Sequence, residues 1–217
     1  MDSIAKNELA GLFERLSETF TAQRSFLIEL DGKVGDSDLG ITMNKGFNAA
    51  WESVKANTTD PIGKTLQLAG MAIAKAAPST MGTLTATGFM RGGKAVGDAP
   101  SIGTAEIAAF WTAYHDGVAE RGKAKRGDKT LLDVLDPIAT SLRASAAAGL
   151  ALAPALDAAA QAASAGLEAT RTMVAQHGKA ACFPEKSLGL QDAGATVGVL
   201  IIDTLRAFAA APTGSSS

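Results

Sequence analysis

Apolar residues in this chain recur every third or fourth position through one segment after another, and they seldom alternate with polar ones. The run Leu9, Leu12, Phe13, Leu16, Phe20, Leu27 and Leu30 keeps that spacing, with Glu14, Arg15, Glu18 and Arg24 between its members. A row of side chains at a period of 3.6 buries one face of a helix, whereas a half-buried strand needs a period of two. The pattern therefore predicts an all-α fold with no strand. Hydrophobic residues make up 47% of the 217 positions and aromatics only 5%, so the helices must approach one another through alanine, glycine and leucine.

Turn and cap signals divide the chain into eight helices. The first is predicted over about 4–30 and the second over 39–55. Asp60-Pro61 opens a third, which ends at Pro78, and a fourth runs from Gly82-Thr83 to Gly97, because proline suits a first helical turn but cannot continue a helix. Thr104 caps a fifth closed by Gly122, and Asp128 caps a sixth with Pro137 as its kink. A seventh runs from Pro154 to Gly178, and Asp192 caps the last. The expected architecture is eight antiparallel amphipathic helices in an up-and-down closed barrel or bundle, one domain over 1–211, with 212–217 a disordered tail. In that topology the loops 31–40, 77–83, 122–130 and 178–192 lie at one end. They are also the chemically unusual loops.

Charge narrows the class. Twenty Lys+Arg against 22 Asp+Glu leave a net charge of -2, which argues against general binding of nucleic acid through phosphate neutralisation. The opening residues MDSIAKNELA lack the apolar core of a secretory signal, and the uncharged stretch Ala144–Leu156 is 13 residues, too short to span a bilayer. One cysteine, Cys182, supports neither a disulfide framework nor a thiolate metal cluster. The expectation is a cytoplasmic chain without a membrane segment.

Asp31, Asp36 and Asp38 crowd three carboxylates into eight residues at a helix-to-helix turn. Such a cluster suits Mg²⁺ or Ca²⁺, since hard cations take oxygen ligands and relieve the mutual repulsion. An Asx-turn with an N-cap explains the same residues equally well. Counting an EF-hand from Asp36 places Gly40 at the fifth position and Phe47 where a bidentate Glu is required, so a protein-only calcium cage is a poor fit.

Gly88-Phe89-Met90-Arg91-Gly92-Gly93-Lys94-Ala95 approaches a P-loop. It fails as one, because Ala95 has no hydroxyl and no strand precedes it; close helix contact is the better role for its glycines. The small and hydroxyl residues of 77–83 precede a helix N-terminus, which favours an anion. The basic run 121–129 suits solvent or phosphate. His115 and His177 sit near no serine or cysteine in a nucleophile–base arrangement. His177 is expected in the last turn of a helix and Cys182 in packing.

Three motifs, in order, are then recognisable: Leu30-Asp31-Gly32-Lys33-Val34-Gly35-Asp36-Ser37-Asp38-Leu39-Gly40, Arg121-Gly122-Lys123-Ala124 with Gly127-Asp128-Lys129-Thr130, and Ser187-Leu188-Gly189-Leu190-Gln191-Asp192-Ala193-Gly194-Ala195. Together they resemble the nucleotide-binding L subunit, or L domain, of dihydroxyacetone kinases, over nearly the whole chain. The resemblance implies an eight-helix barrel with the nucleotide at one end. It implies that Asp31, Asp36 and Asp38 hold a pair of Mg²⁺ ions on the phosphates of ATP or ADP. It also implies that Leu39, Gly40, Ile41 and Thr42 approach those phosphates, and that Thr80, Met81, Gly122, Leu131, Lys179, Asp192, Ala193 and Gly194 enclose the nucleotide. The family often has His or Cys at Leu39, Asn or Thr at Thr42, Arg at Lys179 and Pro at Ala193.

By the same resemblance the chain is a kinase subunit, inactive alone, that presents Mg-ATP to a small ketose held by a separate K-type subunit. Leu39 and Thr42 lean towards this ATP-dependent kind. In the alternative, ADP stays bound and is rephosphorylated by a phosphocarrier protein of the phosphotransferase system. A non-catalytic nucleotide-sensing subunit that docks a regulator is the reading from another class, and a homodimer is compatible with all three. No protein nucleophile is required, since positioning and metal charge carry phosphoryl transfer.

Overall fold

The structure is a computed structural model that describes residues 1–211; the predicted tail at 212–217 lies outside the described residues. Helices dominate it. They are α1 (Leu9–Ala22), α2 (Arg24–Gly32), α3 (Leu39–Ala56), α4 (Ile62–Ala76), α5 (Thr80–Val96), α6 (Thr104–Gly122), α7 (Leu132–Ala147), α8 (Leu152–Ala169), the one-turn α9 (Pro184–Ser187) and α10 (Ala193–Ala210). Each long helix packs on the next, and α10 packs on both α8 and α1, so the succession closes into a ring.

Four local departures from the expected elements have identifiable causes. The predicted first helix begins late, because Ile4–Ala5 forms a short strand, β1, antiparallel to β2 (Ser101–Ile102); the Glu8 carboxylate accepts the Ala5 N–H at 2.7 Å and starts the helical turn only after it. That helix also bends at Gln23, which divides it into α1 and α2 while keeping both halves against α3 and α10. Asp128 does not cap the sixth helix. Asp133, in the first turn of α7, accepts the N–H groups of Gly127 (2.6 Å) and Thr130 (2.7 Å) instead. The seventh helix stops at Ala169, nine residues before Gly178, where the buried Thr170 hydroxyl donates to Leu167 O at 2.6 Å.

Small residues set the helix spacing. A Cβ on Gly88 would lie 2.3 Å from the Tyr114 ring, and one on Gly92 would lie 2.5 Å from the Phe110 ring. Gly88 and Gly92 of the P-loop look-alike are thus seats for aromatic rings of α6, while Gly93 lies against the backbone of α4. Phe89 between them meets Phe13, Phe110 and Tyr114 with centroids 5.7 Å apart in each case. Pro137 in α7 has no N–H to offer the Asp133 carbonyl, and Gly166 of α8 fills the space left there: its Cβ would meet that oxygen at 2.4 Å. Proline and glycine therefore act together to bring α7 and α8 close.

By length and composition α10 is apolar enough to cross a membrane, but half of it is buried in this fold. Val197, Ile201, Ile202, Leu205 and Ala209 are core residues.

Candidate functional site

The four unusual loops do meet at one end of the ring, where they wall a cavity of about 520 Å³. The C-terminus of α2, the N-termini of α5 and α10, and the loop between α6 and α7 all contribute to it. A segment after α8, residues 173–190, crosses one side.

Asp31, Asp36 and Asp38 stand at the mouth of this cavity, with one carboxylate oxygen from each within 4.8 Å of the others. The turn between α2 and α3 is what gathers them. Asp31 Oδ2 accepts the Asp38 N–H at 3.1 Å, and Ser37 adopts φ 63° to fold the chain back. Desolvation and the neighbouring Asp36 and Asp31 charges raise the Asp38 pKa, whereas the Lys179 ammonium, hydrogen-bonded to Asp36, lowers that of Asp36. Three hard oxygens that repel one another and already draw in an ammonium fit a divalent cation such as Mg²⁺.

Other parts of the wall are apolar, and two helix N-termini border the cavity. Ser79 caps α5 by accepting the Gly82 N–H at 3.0 Å, and Asp192 caps α10 by accepting the Ala195 N–H at 2.6 Å. Thr80, Met81, Leu84, Val118, Gly122, Leu131, Ala193 and Gly194 line the cavity. Burial pushes the Asp192 carboxyl up to about 6, with the nearby Asp133 charge adding to the rise and the Ala195 N–H and Lys129 ammonium opposing it. The arrangement offers a slot with apolar faces, two helix N-termini at its wall and carboxylates at its mouth. It suits a ligand with a flat apolar part and an anionic part.

Of the residues singled out in the sequence, Asp31, Asp36, Asp38, Leu39, Thr80, Met81, Gly122, Leu131, Lys179, Asp192, Ala193 and Gly194 all line the cavity. Gly40, Ile41 and Thr42 do not. Gly40 and Thr42 are buried, and Gly40 lies against α2, where a Cβ would meet Arg24 O at 2.1 Å. In the basic loop only Lys129 among the cations reaches the cavity, together with Gly122, Ala124 and Thr130. Arg126 pairs with Asp136 at 3.0 Å.

Three residues differ from their sequence reading. His177 lies past the end of α8 and lines the cavity, its Nε2 3.1 Å from Asp128 Oδ2. Cys182 is exposed at the cavity wall instead of packed. Lys129 is only 3% exposed, and its Nζ donates to Leu190 O at 2.7 Å, Met173 O at 3.2 Å and Ser187 O. A lysine in a Gly-Asp-Lys-Thr turn reads as solvated, and no local signal marks it as buried.

The DAK2 domain family matches residues 33–207. The "PEP-dependent dihydroxyacetone kinase, ADP-binding subunit DhaL" of Escherichia coli (strain K12) is 34% identical over 194 residues, spanning 89% of this chain and 92% of that protein. The L-erythrulose kinase of Pectobacterium atrosepticum is 33% identical over 190 residues, 87% of this chain but 32% of that longer enzyme. Among solved structures, the dihydroxyacetone kinase from C. freundii in complex with AMP-PNP and Mg²⁺ superposes with a TM-score of 0.72 at 25% identity, covering 95% of this chain and 35% of that one. With most of its length matched by the family, and with a relative aligned nearly end to end, the chain belongs to the DAK2 domain family.

Proposed function

We propose that this chain is the nucleotide-binding subunit of a small-ketose kinase and that it presents Mg-ATP for phosphoryl transfer to a ketose held by a separate K-type subunit. The observation that carries this reading is the convergence of Asp31, Asp36 and Asp38 at the mouth of a cavity with apolar faces and two helix N-termini at its wall. Asp31, Asp36 and Asp38 would hold a pair of Mg²⁺ ions. When bound, these supply charge neutralisation on the phosphates. Lys179 would leave Asp36 for a phosphate oxygen, and Leu84, Val118 and Leu131 would sandwich the base. The chain's own task is positioning, so no residue is assigned as a nucleophile. Such a subunit would work in the cytoplasm.

A second reading has its own support. The relatives that this chain covers almost end to end, from E. coli and from Listeria innocua, are named ADP-binding subunits of PEP-dependent kinases. In that case ADP would stay in the cavity and a phosphotransferase-system phosphocarrier would recharge it. Leu39 and Thr42 favour free exchange of ATP, and a regulator-docking role without catalysis would not need the intact carboxylate cluster.

The deciding assay mixes the purified chain, its K-type partner, Mg²⁺ and candidate ketoses such as dihydroxyacetone and erythrulose. Ketose phosphate formed from ATP alone is the expected result. Product formed only with phosphoenolpyruvate and the phosphocarrier would establish the second reading. An absence of Mg-dependent ADP or ATP binding in calorimetry would overturn both.

A further inference from the structure

The phosphate chemistry above makes no use of Lys129, yet that residue is held with care. Its backbone is left-handed at φ 59°, a conformation that strains a residue with a Cβ. An ammonium has three protons and no acceptor, and the carbonyls of Met173, Ser187 and Leu190 take all three. These acceptors lie at the two ends of one stretch of chain. Met173 opens the segment 173–190; Ser187 and Leu190 close it.

The segment has little apolar anchoring of its own. Of its 18 residues only Ala175 and Ser187 are buried, so hydrophobic burial contributes little to its place, and such segments open first. Its other ties to the body are polar: Gln176 N–H to Asp128 O (3.0 Å), His177 Nε2 to Asp128 Oδ2 (3.1 Å), Lys179 to Asp36, and Gly189, whose N–H donates to Arg171 O (2.8 Å) and whose carbonyl accepts from Arg171 Nη1 (3.3 Å). Within the strap the Ser187 hydroxyl accepts from Ala175 N–H (3.1 Å) and donates to Pro184 O (2.7 Å). The same stretch carries His177, Lys179, Ala180 and Cys182 to the cavity wall.

We propose that Lys129 is a positioning residue whose ammonium pins both ends of the 173–190 strap, so that the strap lies across the cavity and completes the nucleotide site. The inference rests on the nucleotide reading for its ligand, but the pinning can be tested without one. Loss of the ammonium would leave three carbonyls without their donor and release both ends together. The helical ring, held by its core, would remain.

The Ala175 amide, buried on the strap and donating to Ser187 Oγ at 3.1 Å, reports the strap's release through its hydrogen-exchange rate. In Lys129→Met, that exchange without nucleotide should accelerate at least fivefold, and Mg-ADP should bind at least tenfold more weakly, while helix content by circular dichroism stays at the wild-type level. A folded Lys129→Met with wild-type exchange and wild-type affinity overturns the proposal. Should wild type itself bind no Mg-ADP, the nucleotide reading fails, and the exchange rates alone still decide the pinning. Should the variant not fold, hydrogen exchange on wild type decides instead. Matching exchange rates for the Ala175 and Gly189 amides support a strap released as one unit, and rates differing by more than tenfold refute it.

Discussion

Gly40→Ala separates a packing role for that residue from a ligand-contacting one. The added methyl would stand 2.1 Å from Arg24 O, 2.9 Å from Ile28 Cγ1 and 3.0 Å from Ile28 N. Two of these are backbone atoms of α2 and cannot rotate away, so α2 and α3 must part by roughly 1 Å to reach ordinary van der Waals distance. Overpacking of this kind costs about 1–3 kcal/mol, and a backbone obstacle places it near the upper end. Better helix propensity returns up to about 1 kcal/mol. The net destabilisation is about 2 kcal/mol, which for a chain of this size lowers Tm by about 4–8 °C. Separation of α2 from α3 would also draw Asp31, in the last turn of α2, away from the Asp38 N–H that it accepts at 3.1 Å, so Mg-ADP affinity should fall with Tm. Thermal melts followed by circular dichroism, with calorimetric titration of Mg-ADP, measure both. Gly11→Ala is the control: its methyl would meet only the Phe208 ring, at 3.6 Å, and it should leave Tm unchanged or raise it. A Gly40→Ala protein that melts at or above wild type would refute the packing argument.

Replacing Asp36 with Asn removes a charge from the exposed carboxylate cluster while keeping its shape, and Mg-dependent ADP binding should vanish in calorimetry with Tm of the ligand-free protein little changed. Asp192→Asn keeps an N-cap acceptor for the Ala195 N–H but cannot ionise. Because the folded-state pKa of Asp192 is raised from 3.8 to about 6, wild type loses stability as pH rises through that interval, on the order of 3 kcal/mol in all. Denaturant melts should therefore show the variant gaining on wild type between pH 4 and 6 and holding that gain above; a pH-independent difference would rule this out. Ser79→Ala removes the cap of α5, at a cost of about 1 kcal/mol, and Tm should drop by about 2–4 °C.

Much of this architecture was legible before any coordinates. The period of Leu9 to Leu30 and the cap at Asp192 are local matters, although the fourth predicted helix starts two residues earlier than Gly82, capped by Ser79. The alternation of short loops in an up-and-down ring follows from counting helices. That count placed the four unusual loops at one end, where the cavity lies. The misplaced helix ends had competing local solutions. Asp128 and Asp133 were both able to take the N–H groups before α7, and only the packed fold selects Asp133. Thr170 likewise ends α8 early because its hydroxyl is buried against Leu167 and receives the Asp192 N–H at 3.0 Å, a partner 22 residues away.

The sequence by itself determined the helical class, the carboxylate triplet and the end of the molecule at which the cavity lies, since each depends on residues close together in the chain. Tertiary structure alone decided that Lys129 is buried beneath the 173–190 strap, that His177 turns into the cavity beside Asp128, and that Gly40 is a point of helix contact. These outcomes depend on which distant backbone carbonyls and carboxylates come within about 3 Å of a given side chain. That is a property of how the helices pack, and no window of sequence contains it.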